Sequence, residues 1–186
     1  MATFTEIHRL DREAVVRDYL QLARDAAIQA VALSAGKIRV RSSVRMKCQI
    51  PLCEHYGTNR ACPPLIPELA TFREALQDYE WAFLLGLVVS REAVRGHEPE
   101  LALDDFVCRS ENWALGRGYY WGFGLTGGAC YRCPRCEISR PCPFPFRQHP
   151  SPEGMGIDIT MLAREVGWAV DWPPKDRVHY FALFFL

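Results

Sequence analysis

Residues 127–143, GGACYRCPRCEISRPCP, place Cys130, Cys133, Cys136 and Cys142 within thirteen positions. Thiols this dense do one of three things: they oxidise to disulfides, grip a zinc ion, or wrap an iron–sulfur cluster. The spacing here is C-x2-C-x2-C-x5-C followed by Pro143. Bacterial ferredoxins enclose a [4Fe–4S] cube with C-x2-C-x2-C-x3-C-P. A cube offers several iron corners on one compact body, so a short loop can turn about it with a ligand at every third residue. Zinc is a single point, commonly held by one C-x2-C knuckle and a distant second pair. Three evenly stepped cysteines suit the cube better, with zinc as the alternative. Gly127 and Gly128 add backbone freedom where the chain must approach a metal closely.

A second stretch, CQIPLCEHYGTNRACPP over 48–64, supplies Cys48, Cys53 and Cys62. Proline again follows the last thiol. In two-cluster ferredoxins the cysteine before proline ligates the other cluster; equally, Pro63, Pro64 and Pro143 serve as turn residues that end the loops. The second loop, 127–150, is complete for one four-thiolate cluster, whereas the first is one ligand short. Cys108 is a candidate to complete it, although a lone cysteine in a helix reads first as a small buried hydrophobe. His55 offers a nitrogen, as histidine does in Rieske centres. The remaining option is an iron left open to water or substrate, which would mean Lewis-acid chemistry and an enzyme.

Other residues near the loops carry two readings each. Arg132, Arg135, Arg140 and Arg147 can offset the charge of a thiolate-bound cluster, dock an acidic redox partner, or simply be solvated. Tyr131, Trp121 and Phe144 either shield a cluster from water or pack in the ordinary way. Glu153, Gly154, Gly156 and Asp158 can form a helix N-terminus aimed at the cluster or at an anion; the plainer reading is a capped surface helix. No G-x-S-x-G, phosphate-binding glycine loop or H-E-x-x-H is present, and the five histidines are scattered.

The chain has 186 residues, 22 basic and 22 acidic. Zero net charge creates no field to draw nucleic acid or an anionic membrane to the molecule. The first twenty residues carry charges throughout and lack the apolar stretch of a signal peptide, and WAFLLGLVV (81–89) is too short to span a bilayer. These features lead one to expect a reducing cytoplasm, where lasting disulfides are rare. Eight cysteines in such a chain point to metal or redox chemistry.

The elements that must position the loops are legible by period. Residues 11–35 read as one long helix, with Val16, Leu20, Ala23, Ala27 and Val31 at helical spacing and Gly36 as the stop. KIRVRSSVRM (37–46) alternates like a strand. Residues 67–79 read as a helix opened by Pro67, 81–90 as a strand covered on both faces, and 99–115 as an amphipathic helix ending near Gly116. YYWGFGL (119–125) is strand-like, Ser151 caps a helix running to about Gly167, and RVHYFALFFL (177–186) is a core strand or, through its apolar tail, a homo-oligomer interface. The expectation is a single domain of α/β or α+β class, with a central mixed sheet of about four strands under helical cover.

Several motifs occur here in one order: C-x2-Y-G at Cys53–Gly57, CPP at Cys62–Pro64, GG-x-C-x2-C-x2-C at Gly127–Cys136, and SPEGMGIDI at Ser151–Ile159. That order resembles the bacterial and archaeal proteins known as predicted metal-binding protein, domain of unknown function 2284, over roughly residues 38 to 170. The resemblance implies that Cys53, Cys62, Cys130, Cys133, Cys136 and Cys142 are ligands. The C-x4-C step from Cys48 to Cys53 is wider than the resemblance leads one to expect. The expected function is iron–sulfur binding, with one or two [4Fe–4S] clusters on Cys48, Cys53, Cys62 and on Cys130, Cys133, Cys136, Cys142. Electrons would pass to or from a redox partner protein, without nucleic acid or membrane. The alternatives are a zinc-stapled interaction module and an enzyme with an open iron at the three-cysteine site.

Overall fold

A computed structural model describes residues 12–186; residue 11, His8 and most of the charged N-terminal stretch lie outside it. Helix α1 spans Arg12–Asp25 and strand β1 spans Gln29–Ser34. A single helical turn, α2 (Ser42–Arg45), leads into the first cysteine loop, which is followed by α3 (Leu69–Ala75) and β2 (Trp81–Ser90). Helix α4 covers Glu98–Leu115, β3 covers Phe123–Thr126, and after the second cysteine loop come α5 (Ile159–Glu165) and β4 (Arg177–Phe185).

The four strands form one sheet in the order β1-β2-β4-β3. The strand count and the helical cover are as expected, and the class is α+β: all three pairings are antiparallel, not mixed. Strands that alternate with helices in sequence need not be parallel neighbours, because β4 enters the middle of the sheet and pairs with β2 on one side and β3 on the other. Side chains alternate across the strands. Phe83, Leu85, Ala182 and Phe184 face α1 and α4 through Val15, Tyr19, Ala23, Leu103, Phe106 and Val107. Ala82, Leu84, Leu183 and Phe185 face Phe72, Leu76, Ile157 and Leu162 on the other side. Coverage of both faces explains the unbroken apolar runs of β2 and β4. The tail Phe184–Phe185 is fully buried core, not a free interface.

The helix expected over 11–35 stops ten residues early. Ile28 N–H donates to the Ala23 carbonyl (2.9 Å) and Ala27 N–H to that of Arg24 (2.9 Å), with Ala27 at φ 57°. This is a Schellman closure made by alanine in the left-handed region usually given to glycine. Val31 and Leu33 then face one side of the sheet and Ala30 and Ala32 the other. The strand expected at 37–46 does not join the sheet. Ile38 and Val40 pack on the core from an extended segment whose Arg41 N–H bonds Gly156 (2.7 Å). Strand β3 begins at Phe123, later than the aromatic run suggested, and Trp121 stands 84% exposed away from the cysteine loops.

Candidate metal centre

The second loop leaves β3 and returns to it. Thr126 N–H donates to Pro150 O (3.1 Å) and Gly127 N–H to Phe181 O (2.9 Å), so the base of the loop is stitched to the sheet. A Cβ on Gly127 would lie 2.8 Å from Phe181 O, and Gly128 has φ +83°; both positions need glycine. Beyond this base the loop contains no strand and only one 3-10 turn, Pro145–Arg147. Cys130, Cys133, Cys136 and Cys142 are all half-buried and unbonded to one another. Burial raises the Cys130 thiol, and an N–H from Arg132 lowers it; Asp104, Cys136 and Cys142 raise it again. Cys133 and Cys136 line one cavity with Cys130. Phe144 N–H donates to Cys142 Sγ (3.4 Å). Amides aimed at sulfur are what a thiolate needs once it carries charge.

The first loop folds against this one. Burial pushes the Cys62 thiol up to about 12, with further upward pressure from Cys53, Cys48, Glu153 and Cys130. Cys48 is raised by burial and by Cys53 and Glu153, and lowered by Arg45. Cys48, Cys53 and Cys62 are therefore one electrostatic group, and Cys130 borders it. Asn59, 5% exposed, is the bolt between the loops. Its Nδ2 donates to Cys130 O (2.9 Å), while its Oδ1 accepts from Cys130 N–H (3.2 Å) and Ala61 N–H (3.0 Å). Arg60 Nη2 donates to Ile138 O (2.8 Å), and Ser151 N–H to Ala61 O (3.1 Å).

A third group ties the second loop to α4. Asp104, Cys108 and Glu111 recur at i, i+4 and i+7 along the helix, a spacing that places them on one face. His149 Nδ1 lies 2.6 Å from Asp104 Oδ1 and Nε2 3.3 Å from Glu111 Oε2. Arg132 pairs with Asp104 (2.5 Å) and Asp105 (2.6 Å), and Arg147 with Asp105. Burial alone would lower the His149 pKa; the hydrogen bonds and charges of Asp104 and Glu111 outweigh it and raise it to about 9. Ligand atoms of Asp104, Cys108 and His149 lie within 4.8 Å of one another and could hold a metal ion. Since both imidazole nitrogens face carboxylates, a metal entering here would displace protons from His149 and Cys108.

The candidate ligand side chains thus lie on the two cysteine loops and on α4, and all of them fall within a single matched span. Residues 31–186 match the family model described as predicted metal-binding protein, domain of unknown function 2284. The chain belongs to this metal-binding family. No curated protein and no solved structure matches it. No helix among the described residues is long and apolar enough to cross a membrane.

In this member of the metal-binding family, Cys48, Cys53 and Cys62 act on one another electrostatically, and Cys130, Cys133 and Cys136 share one cavity. Cys108 does not join the first: its thiol, raised by burial to about 11, answers to Asp104, Arg147, Glu111 and Arg132. His55 turns its ring edge to Tyr131 and shares a 3.4 Å hydrogen bond with the Tyr131 hydroxyl. Two of the four loop arginines, Arg132 and Arg147, are engaged by α4 carboxylates. Ser151 does not cap a helix. Asp158 does, accepting from Met161 N–H (2.9 Å), and the helix it opens is too short for an anion site. Sequence reasoning missed Asn59, Asp104, Glu111 and His149. The i, i+4, i+7 pattern on α4 was a usable signal, whereas nothing local tied His149 to it.

Proposed function

We propose that the chain is an iron–sulfur protein with one [4Fe–4S] cluster on Cys130, Cys133, Cys136 and Cys142 and a second on the Cys48, Cys53, Cys62 group, passing electrons to or from a partner protein. What supports this reading is that Cys130, Cys133 and Cys136 line one cavity, that Phe144 N–H donates to Cys142 Sγ, and that Cys48, Cys53 and Cys62 act on one another electrostatically beside them. The donor chemistry fits: thiolates in C-x2-C-x2-C order with amide donors are the setting such clusters use, and hydrogen bonds and exposure then set the potential. When bound, each cluster supplies one-electron chemistry. The protein's own part is to hold the thiols together through Asn59 and the α4 network and to present the loops outward.

Support for a partner comes from the loop surface. Ile50 and Leu52 on the first loop, and Ile138, Phe144 and Phe146 on the second, are exposed large apolar side chains, with Phe146 at 90%. Apolar side chains gathered on exposed loops suit transient docking. Protein purified without oxygen should be brown, absorb broadly in the visible and contain iron and inorganic sulfide in equal amounts. A colourless protein without sulfide would end the proposal. A second reading, a mononuclear ion, is favoured at one place by the N, S and O donors of His149, Cys108 and Asp104, a set that suits zinc. Zinc in the absence of sulfide would decide for it.

A further inference from the structure

We infer that the cavity at the open edge of β4 binds a small organic amine in its ammonium form. The open edge comes from unequal strand lengths. Strand β2 pairs with β4 as far as Arg177, whereas β3 reaches only to Thr126, opposite Ala182. Gly127 N–H donates to Phe181 O (2.9 Å), so the main chain of Phe181 points to the β3 side. Backbone polar groups alternate in direction along an antiparallel strand. Those of His179, two residues earlier, therefore point the same way, where β3 has already ended. A cavity of about 240 Å³ takes the place of the missing strand. It is lined by residues 178–181 of β4, Glu100 and Leu103 of α4, residues 126–128 at the base of the second cysteine loop, and Glu153. Drug-sized ligands fill about 300–1,000 Å³, so this space suits a smaller molecule.

The polar side chains around this space are mostly acceptors, and their charge is negative. Glu100 is half-buried; its Oε1 lies 3.4 Å from His97 Nδ1, and its Oε2 is buried without a hydrogen-bond partner. Thr126 is 9% exposed, and its hydroxyl makes no hydrogen bond among the described residues. Glu153 and Asp171 bring the lining carboxylates to three, with no Lys or Arg among the described residues beside them. The molecule as a whole is neutral, so the excess is local. A buried acceptor left unpaired is costly, and an ammonium group answers it with three donors and a positive charge. Leu103, Ile159 and Phe181, all buried, offer apolar surface to the carbon skeleton. A bare metal ion fits less well. Asp104, Cys108 and His149 form the close three-donor group among the described residues, and the acidic side chains of this cavity form none. An organic cation bridges wider spacings. Glu100, Thr126 and Gly127 also border a smaller void with Cys130, Tyr131 and His149, so the amine lies one layer from the second cysteine loop. The assignment holds whichever metal that loop carries.

The test is isothermal titration calorimetry at neutral pH on the full chain purified without oxygen. The probes are butylamine, cyclohexylmethylamine and phenethylamine, each beside the alcohol and the carboxylate of matching skeleton. At least one amine should bind saturably, one molecule per chain, and more tightly than its alcohol by about tenfold or more, as hydrogen bonds between charged groups require. Its carboxylate should not bind. Glu100→Gln and Glu153→Gln should each weaken that amine by about tenfold or more while the unfolding midpoint stays near that of the wild type. Thr160→Trp, which fills the cavity from the start of α5, should abolish binding. If no amine binds saturably, or if an alcohol binds as tightly as its amine, the inference is overturned. Both results are read from the wild type and stand even where a variant does not fold. Amine binding that survives Glu100→Gln and Thr160→Trp in folded protein lies elsewhere on the chain and overturns it as well.

Discussion

Replacing His149 with glutamine removes the imidazolium held between Asp104 and Glu111 while keeping a side chain able to hydrogen-bond. In the folded protein the His149 pKa is raised from 6.5 to about 9, and at 1.36 kcal/mol per unit this corresponds to about 3 kcal/mol of stability. The imidazole is 4% exposed, so solvent does little to screen its partners. Because the folded value lies above the unfolded one, the native state holds the proton more tightly. The contribution is complete below about pH 6.5, declines through the interval above it and is lost beyond about pH 9. Urea unfolding midpoints of the wild type and His149→Gln, measured without oxygen between about pH 6 and 10, give the difference directly. Taking the difference matters, since the burial-raised thiols of Cys62, Cys108 and Cys130 also weaken the fold in alkali, in both proteins alike. The wild type should lead by about 3 kcal/mol at the acid end and by almost nothing at the alkaline end. A gap that stays flat, or widens as the pH rises, refutes the ion-pair account. A widening gap is the signature of a metal on neutral imidazole, because a metal competes with protons for that nitrogen.

Three further outcomes are expected. Asn59→Ala should cost about 2–3 kcal/mol by leaving buried backbone groups of Cys130 and Ala61 unpaired. It should also speed metal loss to a chelator, read from the decay of visible absorbance. Gly127→Ala should destabilise by about 1–3 kcal/mol, seen as a lower thermal midpoint, because its Cβ would press on the main-chain oxygen of Phe181, where no flexible side chain can give way. In metal-free, reduced protein, iodoacetamide should label exposed Cys53 first and buried Cys62 last, since the thiolate is the reactive form and burial holds Cys62 protonated; mass spectrometry of timed samples checks the order.

The parts of the fold legible in the sequence were those where one physical signal dominates. The run 81–90 could only be a strand covered on two sides, and Glu98–Leu115 carried Pro99 near its start and Gly116 at its end. The end of α1 was illegible because Ala27 does the work of glycine there, and because Ala27 and Val31 satisfy a helical period while Val31 also satisfies a strand. Spacing could propose two sets of cysteines, yet what joins the two loops could not be read from it. Asn59 and Cys130, or Asp104 and His149, meet only through tertiary packing, across 71 and 45 positions. Ser151 was visible as a capping residue type but not as a neighbour of the first loop, since its N–H meets the Ala61 carbonyl only through tertiary packing.

The two-sided burial of β2 and β4 bears on the order of events in the life of the molecule. The two apolar clusters that cover the sheet contain no cysteine, so on the proposed function the scaffold could form first and receive metal afterwards. Between those moments the thiols stand ready but undefended, Cys53 most openly. If the thiols take up a cluster as proposed, oxygen that reaches them in that interval is the hazard loading must outrun.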